Sequence, residues 1–407
     1  MYFCLCNVNI LMLYIPSVFC IPGKIISQAR LALIQDKGGI PMENPYHINE
    51  WARVRRDELV DIPEEPKIHP HFLHTMDRPE FEAAFRTIWD LFYRIYDDIS
   101  KMPEAFHMPL FLQSEFQAGS KQARQSRKAP WRPVDLLYYM ALCSNVHHSF
   151  MHVNVHKFKE NNTVKQIHTL LEPLTDYGFA FIGLAHFKIP GKMDSFIVEY
   201  PDDPNVLTVL HLVAVKAANV GRNNEINRYT DDFASWNYRI LEDDMHTIRY
   251  GDGVEYVADK VHTPQEREFV YEFDKTIREK GWFCCRDSWN EGPGLCYYDK
   301  ESTMRKKGPY IFKMMSWKSK LKLYLRIRNV DNCLEFLKEC PDSVREMFLY
   351  NDTGCSNQHG KVCKGISYVL DGKEYWHCGC CSPAFQTAPL AKDIPYYWKL
   401  VELGRNK

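Results

Sequence analysis

Five of the chain's 14 cysteines lie between Cys355 and Cys381, together with His359 and His377. Thiolate and imidazole groups are the ligands that zinc prefers in structural sites. Cysteines spread evenly along a chain indicate packing residues or disulfides, whereas a tight cluster with histidines favours a metal. The sequence therefore predicts a structural zinc ion near the C-terminus.

A β-hairpin is predicted inside this cluster. Asp371-Gly372 separates two short runs rich in tyrosine, valine, isoleucine and tryptophan. An Asp-Gly pair between such runs is a strong hairpin signal, because both central residues of a type I′ turn need a positive φ. The hairpin would bring Cys363 and Cys378 side by side. Since so small a hairpin has little apolar area, we expect the metal to supply much of its stability.

Three ligands are predicted from this geometry, namely Cys355, Cys363 and Cys378. The fourth is either His359 or Cys381: Cys378 and Cys381 have C-x-x-C spacing, and His359 lies midway between two cysteines. The alternatives are clustered thiols without a metal, or a redox C-x-x-C. No thioredoxin-like βαβ pattern surrounds the motif, which disfavours the redox alternative.

The segment from Tyr298 to Leu400 resembles the C-terminal half of certain proteins from Clostridia-type bacteria, in which a small α+β module carries a cysteine-rich tail. The matching residues are Cys355, Cys363, Ile366-Ser367-Tyr368, Leu370-Asp371-Gly372-Lys373, Tyr375 and Cys378. Such tails more usually have cysteine where this chain has His359, so the resemblance favours His359 as the fourth ligand. The resemblance implies a bacterial cytoplasmic protein but does not indicate any particular activity.

A strand with one basic face is predicted just before this module. Leucine and isoleucine alternate with polar residues from position 320 to 328, and the outward set is Lys320, Lys322, Tyr324, Arg326 and Arg328. Cations can neutralise phosphates, and an aromatic ring among them can stack on a base. The pattern therefore indicates nucleic acid as a partner. The alternative is the ordinary solvated face of a half-buried sheet.

A second group of possible metal ligands consists of His147, His148, His152 and His156. On a helix, the last three would share one face at steps of four, which would suit a metal-dependent enzyme of unknown reaction. The segment from Phe150 to His156 alternates better as a strand, and no carboxylate accompanies it in a known metal spacing. This enzyme is the alternative function.

Enzyme signatures are absent from the sequence. It holds no nucleophile elbow, no phosphate-binding glycine loop, no dinucleotide fingerprint and no H-E-x-x-H motif. We therefore favour a non-enzymatic protein and assign no residue a catalytic role. The net charge of -1 gives no overall field that would attract nucleic acid or a membrane, so any such contact must come from a local patch.

An α+β fold with several domains is predicted from the periodicity of 407 residues. A long core helix starts at Asp77, which is followed by proline, and another starts at the capping box Thr263-Pro264-Gln265-Glu266. Between them, helices followed by two strands suggest a winged-helix-like module. The predicted domains are a helical region and linker (42–130), the winged-helix-like domain (131–222), a small α+β domain with the basic-faced sheet (223–350) and the zinc hairpin with its tail (351–407).

Residues 1–41 are predicted to be a non-native leader. Lys37-Gly38-Gly39 can be encoded by a bacterial ribosome-binding sequence, placed shortly before Met42. The apolar run before it is a poor signal peptide and a poor membrane span. With Met42 as the start, we expect a cytoplasmic protein without a membrane partner.

Overall fold

The computed structural model describes residues 46–112, 120–147, 149–220, 230–250, 253–287, 294–306, 308–317, 320–351, 365–377 and 384–405. The predicted metal ligands Cys355, His359, Cys363, Cys378 and Cys381 lie outside the described residues, as do His148 and the predicted leader. Within the described ranges, no helix is both long and apolar enough to cross a membrane.

Four helices form the first part of the described chain: α1 (His47–Asp57), α2 (Arg78–Lys101), α3 (Lys121–Lys128) and α4 (Arg132–Leu142). The helix predicted to start at Asp77 is confirmed as α2. The Asp77 carboxylate accepts a hydrogen bond from the Glu80 amide at 2.9 Å, which caps the first turn. The apolar stripe of α2, which includes Phe81, Ile88 and Ile95, is fully buried.

A four-stranded antiparallel sheet follows, in the order β1-β2-β4-β3. The elements are β1 (Ser144–His147), β2 (Phe150–Asn154), α5 (Val155–Asn161), α6 (Ile167–Thr175), β3 (Ala180–Ile182), β4 (Ser195–Glu199), α7 (Asn205–Asn219) and α8 (Thr230–Ala234). The two strands predicted as a wing are β3 and β4, and they pair with each other, but as half of this larger sheet. The β1–β2 hairpin escapes prediction because residues 148 and 149 include no glycine, asparagine or proline.

The remaining elements build a five-stranded antiparallel sheet, in the order β11-β8-β7-β6-β5, and a separate hairpin of β9 and β10. They are α9 (Val254–Ala258), α10 (Pro264–Glu279), β5 (Phe283–Asp287), β6 (Gly294–Tyr298), α11 (Glu301–Arg305), β7 (Phe312–Trp317), β8 (Lys320–Arg326), α12 (Leu334–Leu337), α13 (Asp342–Arg345), β9 (Ile366–Leu370), β10 (Lys373–His377), β11 (Ala384–Thr387) and α14 (Ile394–Arg405). The capping box of α10 is present: Thr263 Oγ1 accepts from the Glu266 amide at 3.2 Å.

Two hydrophobic clusters hold these elements together. The first collects buried side chains from Ile48 to Tyr250, and the second from Val257 to Val401. The protein is thus mixed α+β, as predicted. The hairpin strands β9 and β10 contribute Tyr368, Leu370 and Tyr375 to the second cluster.

Candidate anion-binding face

Strand β8 has one buried and one open face, as its alternation predicts. Leu321, Leu323 and Leu325 are buried, whereas Lys320 is exposed and the intervening side chains are half-buried. Arg328 lies beyond the end of the strand and is exposed. The five residues predicted to face outward therefore do so, along a strand that is two residues shorter than expected.

The neighbouring strands narrow this surface. Tyr324 stands opposite Lys313 of β7 on one side and opposite Gln386 of β11 on the other. On the same face, over β6 and β7, Met315 is 1% exposed, Cys296 4% and Tyr298 5%. The open basic surface is therefore a stripe along β8.

Arg326 is the residue of this stripe with unmet hydrogen-bonding capacity. Its guanidinium carbon lies 5.0 Å from the centre of the Tyr310 ring. Its Nε and Nη1 atoms are buried and have no hydrogen-bond partner among the described residues. Burial lowers the pKa of the Arg326 guanidinium, and the nearby Arg328 adds to that effect.

The described part of the chain supplies no acceptor for these two Arg326 nitrogen atoms. A buried N–H group without a partner costs about 1–3 kcal/mol, and more when the group is charged. The strongest influences on the pKa of Arg326 are its burial and the side chains of Tyr310, Arg328, Tyr298 and Cys296, none of which is a carboxylate. A guanidinium presents a planar fork of donors that matches the oxygens of phosphate or carboxylate. An anion that reached Nε and Nη1, once the atoms that cover them had moved, would supply this acceptor.

The predicted hairpin is confirmed beside this sheet. Asp371 and Gly372 have φ values of 51° and 76°, as a type I′ turn requires, and the strands pair from Leu370–Lys373 to Ile366–His377. The cysteines that flank these strands lie outside the described residues.

The hairpin is also anchored by packing. The Tyr368 hydroxyl lies 3.0 Å from Nε2 of buried His377 and donates to the Phe348 carbonyl oxygen at 2.7 Å. The His377 and Phe385 rings lie 4.6 Å apart. Aromatic burial thus adds to whatever stability a metal would supply, which the sequence did not indicate.

The described histidines of the second predicted cluster lie on three different elements. His147 and His152 lie on β1 and β2, with ring centres 6.5 Å apart. The strand predicted from Phe150 to His156 is present only as far as Asn154, because residues 155 and 156 begin α5. His156 lies on α5, is largely exposed, and places Nε2 3.3 Å from a carboxylate oxygen of Asp194. Among the described residues, no group of three or more His, Cys, Asp or Glu side chains could hold a metal ion.

Six cysteines lie among the described residues, and none of them forms a disulfide there: Cys143, Cys284, Cys285, Cys296, Cys333 and Cys340. Burial strongly raises the pKa of Cys284, and the carboxylate of Asp274 adds to that effect. The Cys284 thiol therefore stays protonated at neutral pH, which makes it a poor nucleophile.

Comparisons with family models, with curated proteins and with solved structures find no match for this chain.

Proposed function

We propose that the protein is a non-enzymatic protein that binds single-stranded nucleic acid along the outer face of β8. Lys320, Lys322, Arg326 and Arg328 would contact phosphates, and Tyr324 would stack on a base. The observation that carries the proposal is that the buried Nε and Nη1 atoms of Arg326 have no acceptor within the described ranges, while the guanidinium carbon lies 5.0 Å from the centre of the Tyr310 ring. A phosphate oxygen is the acceptor that fits a planar donor fork.

The spacing of the cations favours a polymer over a small anion. Alternate residues of a strand are about 6.6 Å apart and lie on one face. The outward cations of β8 therefore form a row, of which a small anion could contact only one or two. A chain with a charge on every unit contacts the whole row, and an aromatic ring among the cations adds sequence-tolerant stacking.

The same proposal includes a structural zinc at the base of the β9–β10 hairpin, with Cys355, Cys363 and Cys378 and either His359 or Cys381 as ligands. Strand β11 starts at Ala384, soon after the last of these cysteines, and Ala384 pairs with Arg326. A metal that fixes the chain before β11 would help to hold β11 in register with β8. We also propose that residues 131–222 form a winged-helix-like domain and that the protein is located in the bacterial cytoplasm.

The test is the affinity for a labelled single-stranded oligonucleotide, measured by fluorescence anisotropy over a range of salt concentrations. We expect the logarithm of the association constant to fall linearly with the logarithm of salt concentration. Each lost phosphate contact should reduce the slope by about 0.7. Arg326→Ala and Lys322→Ala should therefore bind more weakly with a shallower slope, whereas Tyr324→Leu should bind more weakly with the slope unchanged.

Lys275→Ala is the matched control, because it removes the same charge from an exposed position on α10, away from the outer face of β8. It should bind like the wild type. The proposal is wrong if Arg326→Ala, shown to be folded by circular dichroism, binds as tightly as Lys275→Ala, or if neither the wild type nor any variant binds the oligonucleotide at low salt.

A further inference from the structure

Two cysteines that form no disulfide with each other lie opposite one another on strands β5 and β6. Cys285 and Cys296 are directly opposite in the antiparallel register, with no residue between them. Opposite residues of an antiparallel pair have Cα atoms about 4.5–5.5 Å apart, and disulfides span Cα separations of about 4.4–6.8 Å. The backbone therefore already holds these two cysteines at the distance that a disulfide requires.

A tyrosine hydroxyl marks where the two thiols converge. Tyr298 follows Cys296 by two residues on the same face. Burial raises the pKa of the Tyr298 hydroxyl, and the nearby Cys296 and Cys285 thiols add to that effect. Both thiols can act on one hydroxyl only if both side chains point to the same place. The side chains of the pair thus share one small volume on the outer side of the sheet.

The two thiols differ in access. Cys296 is buried, whereas Cys285 is partly exposed. A small reagent can reach Cys285 first, and Cys296 is then placed to react with the product. The adjacent Cys284 does not compete, because successive residues of a strand point to opposite faces, and Cys284 lies on the inner side near Asp274.

We propose that Cys285 and Cys296 form a reversible dithiol–disulfide site that reacts with low-molecular-weight disulfides such as glutathione disulfide. The Cys285 sulfur, after losing its proton, attacks one sulfur of the reagent, the reagent's S–S bond breaks, and one glutathione thiolate leaves. The Cys296 thiol then loses its proton, and its sulfur attacks the Cys285 sulfur and expels the second glutathione. Two protein thiols are oxidised, and one glutathione disulfide is reduced to two thiols.

The cysteine site is on the same sheet as the β8 stripe, with β7 between them. The proposed redox reaction does not depend on the function of the stripe. Cys285, Cys296, Lys313 and Tyr324 stand opposite one another on β5, β6, β7 and β8. The proposal would hold whatever the basic stripe binds.

The test uses the full-length protein equilibrated in glutathione redox buffers, quenched with acid, alkylated under denaturing conditions and digested with trypsin. Cleavage after Arg286 places the two cysteines on separate peptides, 281–286 and 287–300. We expect these peptides to be disulfide-linked under oxidising buffer. The ratio of reduced to linked peptide should change about tenfold for each 30 mV of buffer potential, as a two-electron couple requires.

Three variants and an internal control decide the outcome. Cys284→Ser should keep the link, whereas Cys285→Ser and Cys296→Ser should each lose it. Cys333 and Cys340 serve as the control thiols in the same sample, since they donate to backbone carbonyls of Leu400 and Phe336 at 3.4 and 3.3 Å and should stay reduced.

Three results would overturn the proposal. They are a link that disappears in Cys284→Ser, a glutathione adduct on Cys285 that never resolves, and a Cys333–Cys340 link that forms at the same potential as the Cys285–Cys296 link.

Discussion

Lys260 and Asp232 form a buried ion pair, with 2.7 Å between Nζ and Oδ1. The same carboxylate oxygen accepts hydrogen bonds from the Tyr250 hydroxyl at 2.8 Å and from Asn237 Nδ2 at 2.9 Å. Asp232 lies on α8, among the first hydrophobic cluster, and Lys260 lies among residues of the second. The pair therefore connects the two clusters through a fully satisfied polar contact.

Replacing Lys260 with methionine should destabilise the whole protein. The substitution keeps the side-chain length but leaves the Asp232 carboxylate buried without a cation, which typically costs about 3–5 kcal/mol. Urea unfolding followed by circular dichroism measures this loss. Lys275→Met is the matched control, because its ion pair with Glu279 is exposed and 4.0 Å long, and such pairs contribute at most about 1 kcal/mol. Equal unfolding midpoints for the two variants would contradict the role given to the buried pair.

Lys216 should make stability depend on pH. It is buried on α7 and donates to the carbonyl oxygens of Asp244 and Thr247 at 2.5 and 3.1 Å. Burial lowers the pKa of Lys216 from its ordinary 10.5 to about 8. Between these values the unfolded chain binds more protons than the folded one, so this group makes stability rise with pH.

The measurement compares wild type with Lys216→Met by urea unfolding at several pH values between 8 and 10.5. Other titrating groups are common to both chains and cancel in the difference. The free energy of unfolding of the wild type should rise relative to that of the variant across this window. Parallel pH profiles would show that the pKa of Lys216 is the same in the folded and unfolded chains.

Gly372 should be needed for the hairpin turn because its backbone has a positive φ, and not because a side chain would lack space there. Its φ is +76°, and a Cβ added there would meet no heavy atom within 4 Å. Gly372→Ala should therefore lose about 1–2 kcal/mol, the cost of a left-handed conformation for a residue with a Cβ. Gly191→Ala is the control, since it has equal space and no positive φ. Thermal unfolding of both variants tests this, and an unchanged midpoint for Gly372→Ala would argue against the turn type.

Metal analysis tests the predicted zinc. We expect one zinc ion per chain in the purified protein, and its loss in Cys363→Ser. Because Tyr368 and Tyr375 pack in the second cluster, we expect the helical circular dichroism signal to persist after the metal is lost. Cys143→Ser, which removes a buried thiol of the first cluster, should keep the zinc. Equal zinc content in Cys363→Ser and the wild type would exclude Cys363 as a ligand.

Local signals in the sequence predicted the elements well. The Asp77 cap, the Thr263 capping box, the alternation of β8 and the Asp371-Gly372 turn all depend on residues within a few positions of each other, and each is present in the structure. Propensity and periodicity are local properties, so the sequence shows them directly.

Tertiary structure determined which strands and residues became neighbours. The β1–β2 hairpin pairs with β4, which also pairs with β3, and β11 pairs with β8. No local sequence motif predicts these pairings. The place of Arg326 beside Tyr310, and of Cys285 opposite Cys296, depends on strand register and on residues distant in the sequence. The sequence by itself determined that β8 would be basic on one face. Only the folded chain determined that Arg326 has buried nitrogen atoms without an acceptor in the described part of the chain, because hydrogen bonding depends on neighbours in space.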